Sequence, residues 1–130
     1  MKVKTIRIQK NINKNNNLDS RFINAEKVKF AHESEEEFAK ILDFYRIKWE
    51  YEPNTFTLEW DENGNPTVCF SPDFYLTELD LYIELTTMNQ NLVTKKNYKI
   101  RKLKELYPDV NIKLFYKKDY NNLLFKYVNK

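Results

Sequence analysis

Ser71-Pro72-Asp73-Phe74-Tyr75-Leu76 is followed, after Thr77-Glu78-Leu79-Asp80, by Leu81-Tyr82-Ile83-Glu84-Leu85-Thr86. Two apolar-rich runs joined by a short polar segment read as an antiparallel hairpin. With Leu76 opposite Leu81, Phe74 faces Ile83 and Pro72 faces Leu85, all on one side. The other side then sets Asp73 opposite Glu84 and Ser71 opposite Thr86. Directly opposed β-carbons lie about 4.5–5.5 Å apart, and like charges placed there destabilise a sheet. The pairing calls for a positive charge between the carboxylates, and a bound divalent cation is the obvious one.

Upstream, Ala31, Phe38, Ile41, Leu42 and Tyr45 recur at the helical period. Ser34-Glu35-Glu36-Glu37 is expected to open that helix as a capping box between Ser34 and Glu37. Phe56, Leu58 and Trp60 alternate with Thr55, Thr57 and Glu59, the pattern of a strand. The turn signal Asp61-Glu62-Asn63-Gly64-Asn65-Pro66 follows, around the only glycine. A two-residue Asn63-Gly64 turn would put Phe56 and Leu58 on the wrong face, so a longer loop or a bulge is expected.

Downstream, a basic helix is expected from about Thr94 to Tyr107, with Ile100, Leu103 and Tyr107 on one stripe and Pro108-Asp109 stopping it. Val110 to Tyr116 alternates as a strand reached by a helical crossover, hence parallel to a neighbour. Asp119 is placed to cap a last helix with Tyr120, Leu123, Leu124 and Tyr127 inward. The order is helix, three antiparallel strands, helix, strand, helix, an α/β fold with a mixed central sheet flanked by helices. Residues 1–30 divide off as an N-terminal strand or arm (2–8) and a polar Asn/Lys-rich loop (11–17), and residues 31–130 form a single domain.

The chain has 130 residues and a net charge of +3. It offers no apolar run of membrane-spanning length and no hydrophobic stretch behind Met1, so a cytoplasmic protein is expected. One cysteine, Cys69, and one histidine, His32, allow neither a disulfide framework nor a cysteine zinc site. The small net charge conceals a segregation. Residues 31–87 hold three basic and fourteen acidic side chains, whereas residues 88–130 hold eleven basic and three acidic. Basic charge gathered beside an acidic centre is the footprint of a polyanion partner, although a solvated lysine face gives the same run.

Ser34-Glu35 on the first helix, Tyr51-Glu52-Pro53, Ser71-Pro72-Asp73 and Ile83-Glu84-Leu85-Thr86 occur in the order αβββαβ. In this order they resemble the PD-(D/E)XK nuclease superfamily, with its restriction-endonuclease-like core, over about Ser34 to Tyr116. The resemblance implies a magnesium-dependent endonuclease, with manganese as substitute, cutting phosphodiester bonds of DNA and leaving a 5′-phosphate. Asp73 and Glu84 would hold the ion, and the resemblance adds the backbone carbonyl of Leu85. The chemistry agrees: magnesium takes oxygen ligands at about 2.0–2.1 Å, commonly one or two carboxylates with waters and substrate phosphate. Glu35 is a candidate third acid, although acidic residues also favour a first helical turn through its dipole. Glu52 reads as structural or loop-closing.

The family pattern has a lysine where this chain has Thr86. Thr86 carries no charge, and losing a preorganised donor at a developing oxyanion costs about 2.7–4 kcal/mol. Lys95, Lys96 and Lys99 lie near the start of the following helix. Lys96, four residues before Ile100 on the inward stripe, is the candidate replacement, and Gln90 a weaker one. A lysine snorkelling to solvent explains the same position. Lys95, Lys99 and Lys102, with Lys113, Lys117 and Lys118, are candidate phosphate contacts, which give affinity without reading sequence.

Two other function classes fit. One is a non-catalytic nucleic-acid-binding or regulatory domain that retains the nuclease fold without turnover. The other is a protein-interaction module whose acidic and basic halves dock partners. Cutting both strands of a duplex would suggest a homodimer. The resemblance also implies a link to purine phosphoribosyltransferase domains, beside or fused to which some similar sequences occur, although no such segment is read in this chain.

Overall fold

The computed structural model describes residues 3–5, 24–86, 89–117 and 120. Helix α1 (Glu33–Phe44) comes before five strand segments: β2 (Trp49–Tyr51), β3 (Asn54–Trp60), β4 (Pro66–Phe70), β5 (Phe74–Leu76) and β6 (Leu81–Thr86). Helix α2 (Gln90–Leu106) then crosses over to β7 (Ile112–Tyr116), and β1 (Val3–Thr5) precedes them all. The protein is mixed α/β, with a four-stranded mixed sheet in the order β2-β5-β6-β7 and a three-stranded antiparallel sheet in the order β1-β3-β4. Among the described residues, no helix is long and apolar enough to cross a membrane.

The three antiparallel strands expected between the helices are thus five segments, for a local reason. Between the pairs Tyr51–Phe74 and Phe56–Phe70, one arm carries residues 52–55 and the other only 71–73. Pro53 and Pro72, in the two facing gaps, have no N–H to give to the ladder. Glu52 absorbs the extra residue with a left-handed φ of 45°, while its N–H still reaches the Asp73 carbonyl at 2.9 Å. One long hairpin is therefore bent into two sheets at the Ser71-Pro72-Asp73 segment. The turn at its tip is the longer, bulged connection: Phe56 pairs with Phe70, and the register shifts on both sides of Glu59.

The β5–β6 hairpin has the register read from sequence: Leu76 with Leu81, Tyr75 with Tyr82 and Phe74 with Ile83. β7 runs parallel to β6, pairing Tyr82 with Ile112 through Thr86 with Tyr116. All six residues of β6 are buried because it separates two cores. On one face Phe74, Ile83, Leu85 and Phe115 pack with Phe38 and Leu42 of α1. On the other Tyr82, Phe56 and Ile112 pack with Leu103 of α2 and Tyr107 just beyond it. Each fully buried side chain of this size contributes roughly 1.5–3 kcal/mol, so the alternation along β6 fixes its register firmly.

Helix ends differ from the expected ones. Ser34 lies inside α1, whose N-cap is His32 without a side-chain cap bond, so the Ser34–Glu37 capping box does not form. Glu33, Glu35 and Glu36 occupy the first turn, where the dipole favours acids. α2 begins earlier than Thr94 because Asn89 caps it, its side chain accepting the Leu92 N–H at 3.1 Å. In the N-terminal region β1 pairs antiparallel with β3, and Ala25 is buried in the α1-side core. The Asn/Lys-rich tract 11–17 and the last helix beyond Tyr120 lie outside the described residues, as do Asp119 and Lys118.

Candidate functional site

Where the hairpin bends, Asp73 leaves the ladder and the two carboxylates strap the strands crosswise. The Asp73 N–H donates to Glu84 Oε1 at 3.1 Å, and the Leu85 N–H donates to Asp73 Oδ2 at 2.9 Å. Both side chains are buried, at 8% and 6% exposure. Burial is the largest cause of raised pKa values in both carboxyls. The Glu84 charge adds to the rise at Asp73, which reaches about 8, while Lys96 pulls Glu84 back. The pair thus behaves as two facing acids that resist carrying two negative charges.

The positive charge expected between them comes in part from α2. Lys96 Nζ stands 3.3 Å from Glu84 Oε2 and donates a hydrogen bond to the Leu85 carbonyl. This is the lysine singled out on the inward stripe of the helix. Its ammonium reaches the end of β6, beside Thr86, which is buried at 5% exposure.

Glu35 is buried too, at 5% exposure, but is held by other partners. Its Oε1 accepts the Tyr51 hydroxyl at 2.6 Å and the Ala31 N–H at 3.2 Å. Its charge still raises both Asp73 and Glu84 and also Glu52, whose own rise is mainly burial. Tyr51 is correspondingly pushed well above the normal tyrosine range, by burial and then by its bond to Glu35. Sequence reading missed this Tyr51–Glu35 bond. Its signal was register, since pairing Tyr51 with Phe74 sets the ring one residue from Asp73. It also missed buried Asp43, which accepts the Ala25 N–H at 2.9 Å and the Trp49 indole N–H at 2.8 Å.

Beside Glu84 a cavity of about 260 Å³ opens between β4 and α2. Cys69, Phe70 and Ser71 line one side, and Lys95, Lys96 and Lys99 the other. Lys99 Nζ sits 5.8 Å from the centre of the Phe70 ring. Lys102 is half-buried further along α2 and does not line this cavity. Gln90 is exposed in the first turn of α2. Lys113 is exposed on β7, and Lys117 pairs with Glu37 at 3.1 Å.

The donor set suits a hard divalent cation. Two buried carboxylates and a strand-end carbonyl are all oxygen, and among the described residues no group donates a hydrogen bond to Asp73 Oδ1. Also among the described residues, no three His, Cys, Asp or Glu side chains stand close enough to form a metal site. A magnesium ion here would therefore be held by Asp73, Glu84 and the Leu85 carbonyl and completed by water and phosphate, the manner in which that ion is usually bound.

No family model matches the chain, and neither a curated protein nor a solved structure matches it.

Proposed function

We propose that the protein is a metal-dependent nuclease of the PD-(D/E)XK type that hydrolyses phosphodiester bonds, DNA being the expected substrate. One observation carries the reading. Asp73, Glu84, the Leu85 carbonyl and Lys96 meet at the bend of the hairpin, beside a cavity walled by three lysines. Bound there, magnesium would supply Lewis acidity toward water and toward a phosphate oxygen.

The chain's own residues supply the rest. The N–H groups of Asp73 and Leu85 fix both carboxylates, so the acid pair is set before any ligand arrives. From its place beside Glu84, Lys96 would donate to a developing phosphate oxygen, the electrostatic task Thr86 cannot perform. Lys95 and Lys99 would hold the neighbouring backbone phosphates. Phe74, Ile83, Leu85 and Phe115 fill the α1 side of β6, so the phosphate would approach from the cavity side.

Calorimetric titration of magnesium and manganese, with and without bound DNA, tests the reading alongside cleavage assays. Wild type should bind metal and cut, and the Asp73→Ala/Glu84→Ala double variant should do neither. A double variant that still cuts with metal would sink the proposal.

A second reading is favoured by the Lys96 contact itself. An ammonium on Glu84 and on the Leu85 carbonyl also suits a retained nuclease fold that binds nucleic acid without turnover. In that case salt-sensitive binding survives loss of both carboxylates, and no metal binds under any condition.

A further inference from the structure

Lys96 belongs to two places at once. Its ammonium occupies Glu84 Oε2 and the Leu85 carbonyl, two of the three oxygens assigned to the cation, and the same side chain lines the cavity with Lys95 and Lys99. We propose that the cavity between β4 and α2 is a subsite for a nucleic-acid phosphate, and that a phosphate seated there draws Lys96 off Glu84 and the Leu85 carbonyl. The inference rests on the nuclease reading and adds an order of events: phosphate first, cation second.

The physical reasoning is a competition for oxygen atoms. While Lys96 stays in place, a divalent ion must displace a positive charge 3.3 Å from its ligand and break that charge's bond to the carbonyl. The displaced ammonium, half-buried on α2, then needs a new partner. A phosphate in the cavity is that partner, reachable by a change of side-chain rotamer because Lys96 already lines the wall. Lys95 is exposed and Lys99 half-buried on the same wall, and neither is paired with a carboxylate among the described residues, so both add charge there. Linkage makes the effect reciprocal: phosphate tightens the cation by the same factor that the cation tightens phosphate, about tenfold for coupling of ordinary size. Idle metal binding is thereby suppressed until substrate arrives.

Two readouts at pH 8.5 test this, using thymidine 3′,5′-bisphosphate, which has no internucleotide linkage to cut. Cys69, the only cysteine, is exposed on the cavity wall, so its reaction with a thiol reagent reports occupancy. The bisphosphate should slow that reaction in wild type, and Lys95→Gln/Lys99→Gln should lose the protection. Manganese affinity, with free metal held by a metal buffer, should rise about tenfold with the bisphosphate in wild type. Lys96→Met should bind manganese about tenfold more tightly than wild type without the bisphosphate and gain less from it than wild type does. Unprotected Cys69, or metal binding by Lys96→Met no tighter than by wild type, would overturn the inference and leave the nuclease reading standing. Absence of manganese binding in both proteins under every condition would overturn both.

Discussion

The Tyr51 hydroxyl donates to Glu35 Oε1 at 2.6 Å, tying the first turn of α1 to the edge of the four-stranded sheet beside the carboxylate pair. Glu35 adds negative potential at Asp73 and Glu84, and its bond to Tyr51 fixes where that charge sits.

Tyr51→Phe should therefore destabilise the protein while leaving Asp73 and Glu84 in place. A hydrogen bond to a charged acceptor contributes about 1.5–3 kcal/mol, and denaturant unfolding should show a loss of that size. Magnesium titration of the folded variant should still detect the Asp73–Glu84 site. Complete loss of metal binding would instead make Glu35 a direct ligand.

Stability of the metal-free protein should fall with rising pH. Asp73 has a folded pKa near 8, above its unfolded value near 4, so it holds its proton more tightly when folded. Its contribution is fully present below about pH 4 and is lost as pH climbs toward 8. A decline of roughly 1–3 kcal/mol between pH 5 and pH 8 is expected after discounting for the coupling to Glu84. Urea unfolding across that range should show it in wild type, and Asp73→Asn should flatten it. Saturating magnesium should oppose the decline, because the cation favours the ionised pair.

Lys96→Met should lower turnover on a cleavable substrate by about 100–1,000-fold, the loss expected for a missing donor at a developing oxyanion. Thr86 ends β6 beside the Leu85 carbonyl that Lys96 engages. Adding Thr86→Lys to Lys96→Met should recover part of that loss, returning the charge from the strand instead of the helix. Single-turnover rates would read both steps. Unchanged turnover in Lys96→Met would assign that lysine to packing alone.

Phe74 meets Phe30, Phe38, Trp49 and Tyr51 with ring centroids 6.0, 5.2, 5.4 and 5.6 Å away. Phe74→Ala should destabilise by about 3–5 kcal/mol, the usual result of removing a buried aromatic side chain. Thermal unfolding would measure it. A smaller loss would mean that the α1 face of the sheet collapses onto the vacated volume.

The hairpin was legible because period-two alternation admits only one register once Leu76 is set against Leu81, and that register is observed. The parallel crossover to β7 was legible for a similar reason, since a helix intervenes. The break into two sheets was not foreseen, although Pro53 and Pro72 were both in view; their meeting across the hairpin depends on a pairing with one extra residue. Helix starts are less legible, because the cap of α1 is His32 without a side-chain bond and Asn89 begins α2 a turn before Thr94. Lys96 could be picked from its place on the helical stripe, but its contact with the Leu85 carbonyl depends on how α2 lies across β6. Tyr51 and Asp43 escaped because a hydroxyl or carboxylate finds its buried partner through tertiary packing, which periodicity does not encode.

The crosswise strapping of Asp73 and Glu84 also gives the molecule two internal voltmeters. The amide protons of Asp73 and Leu85 end on carboxylate oxygens instead of strand carbonyls. Proton uptake by either acid, or capture of its charge by a cation, must change the polarity of those bonds. Two backbone resonances, observable without substrate or turnover, therefore register the ionic state of the pair.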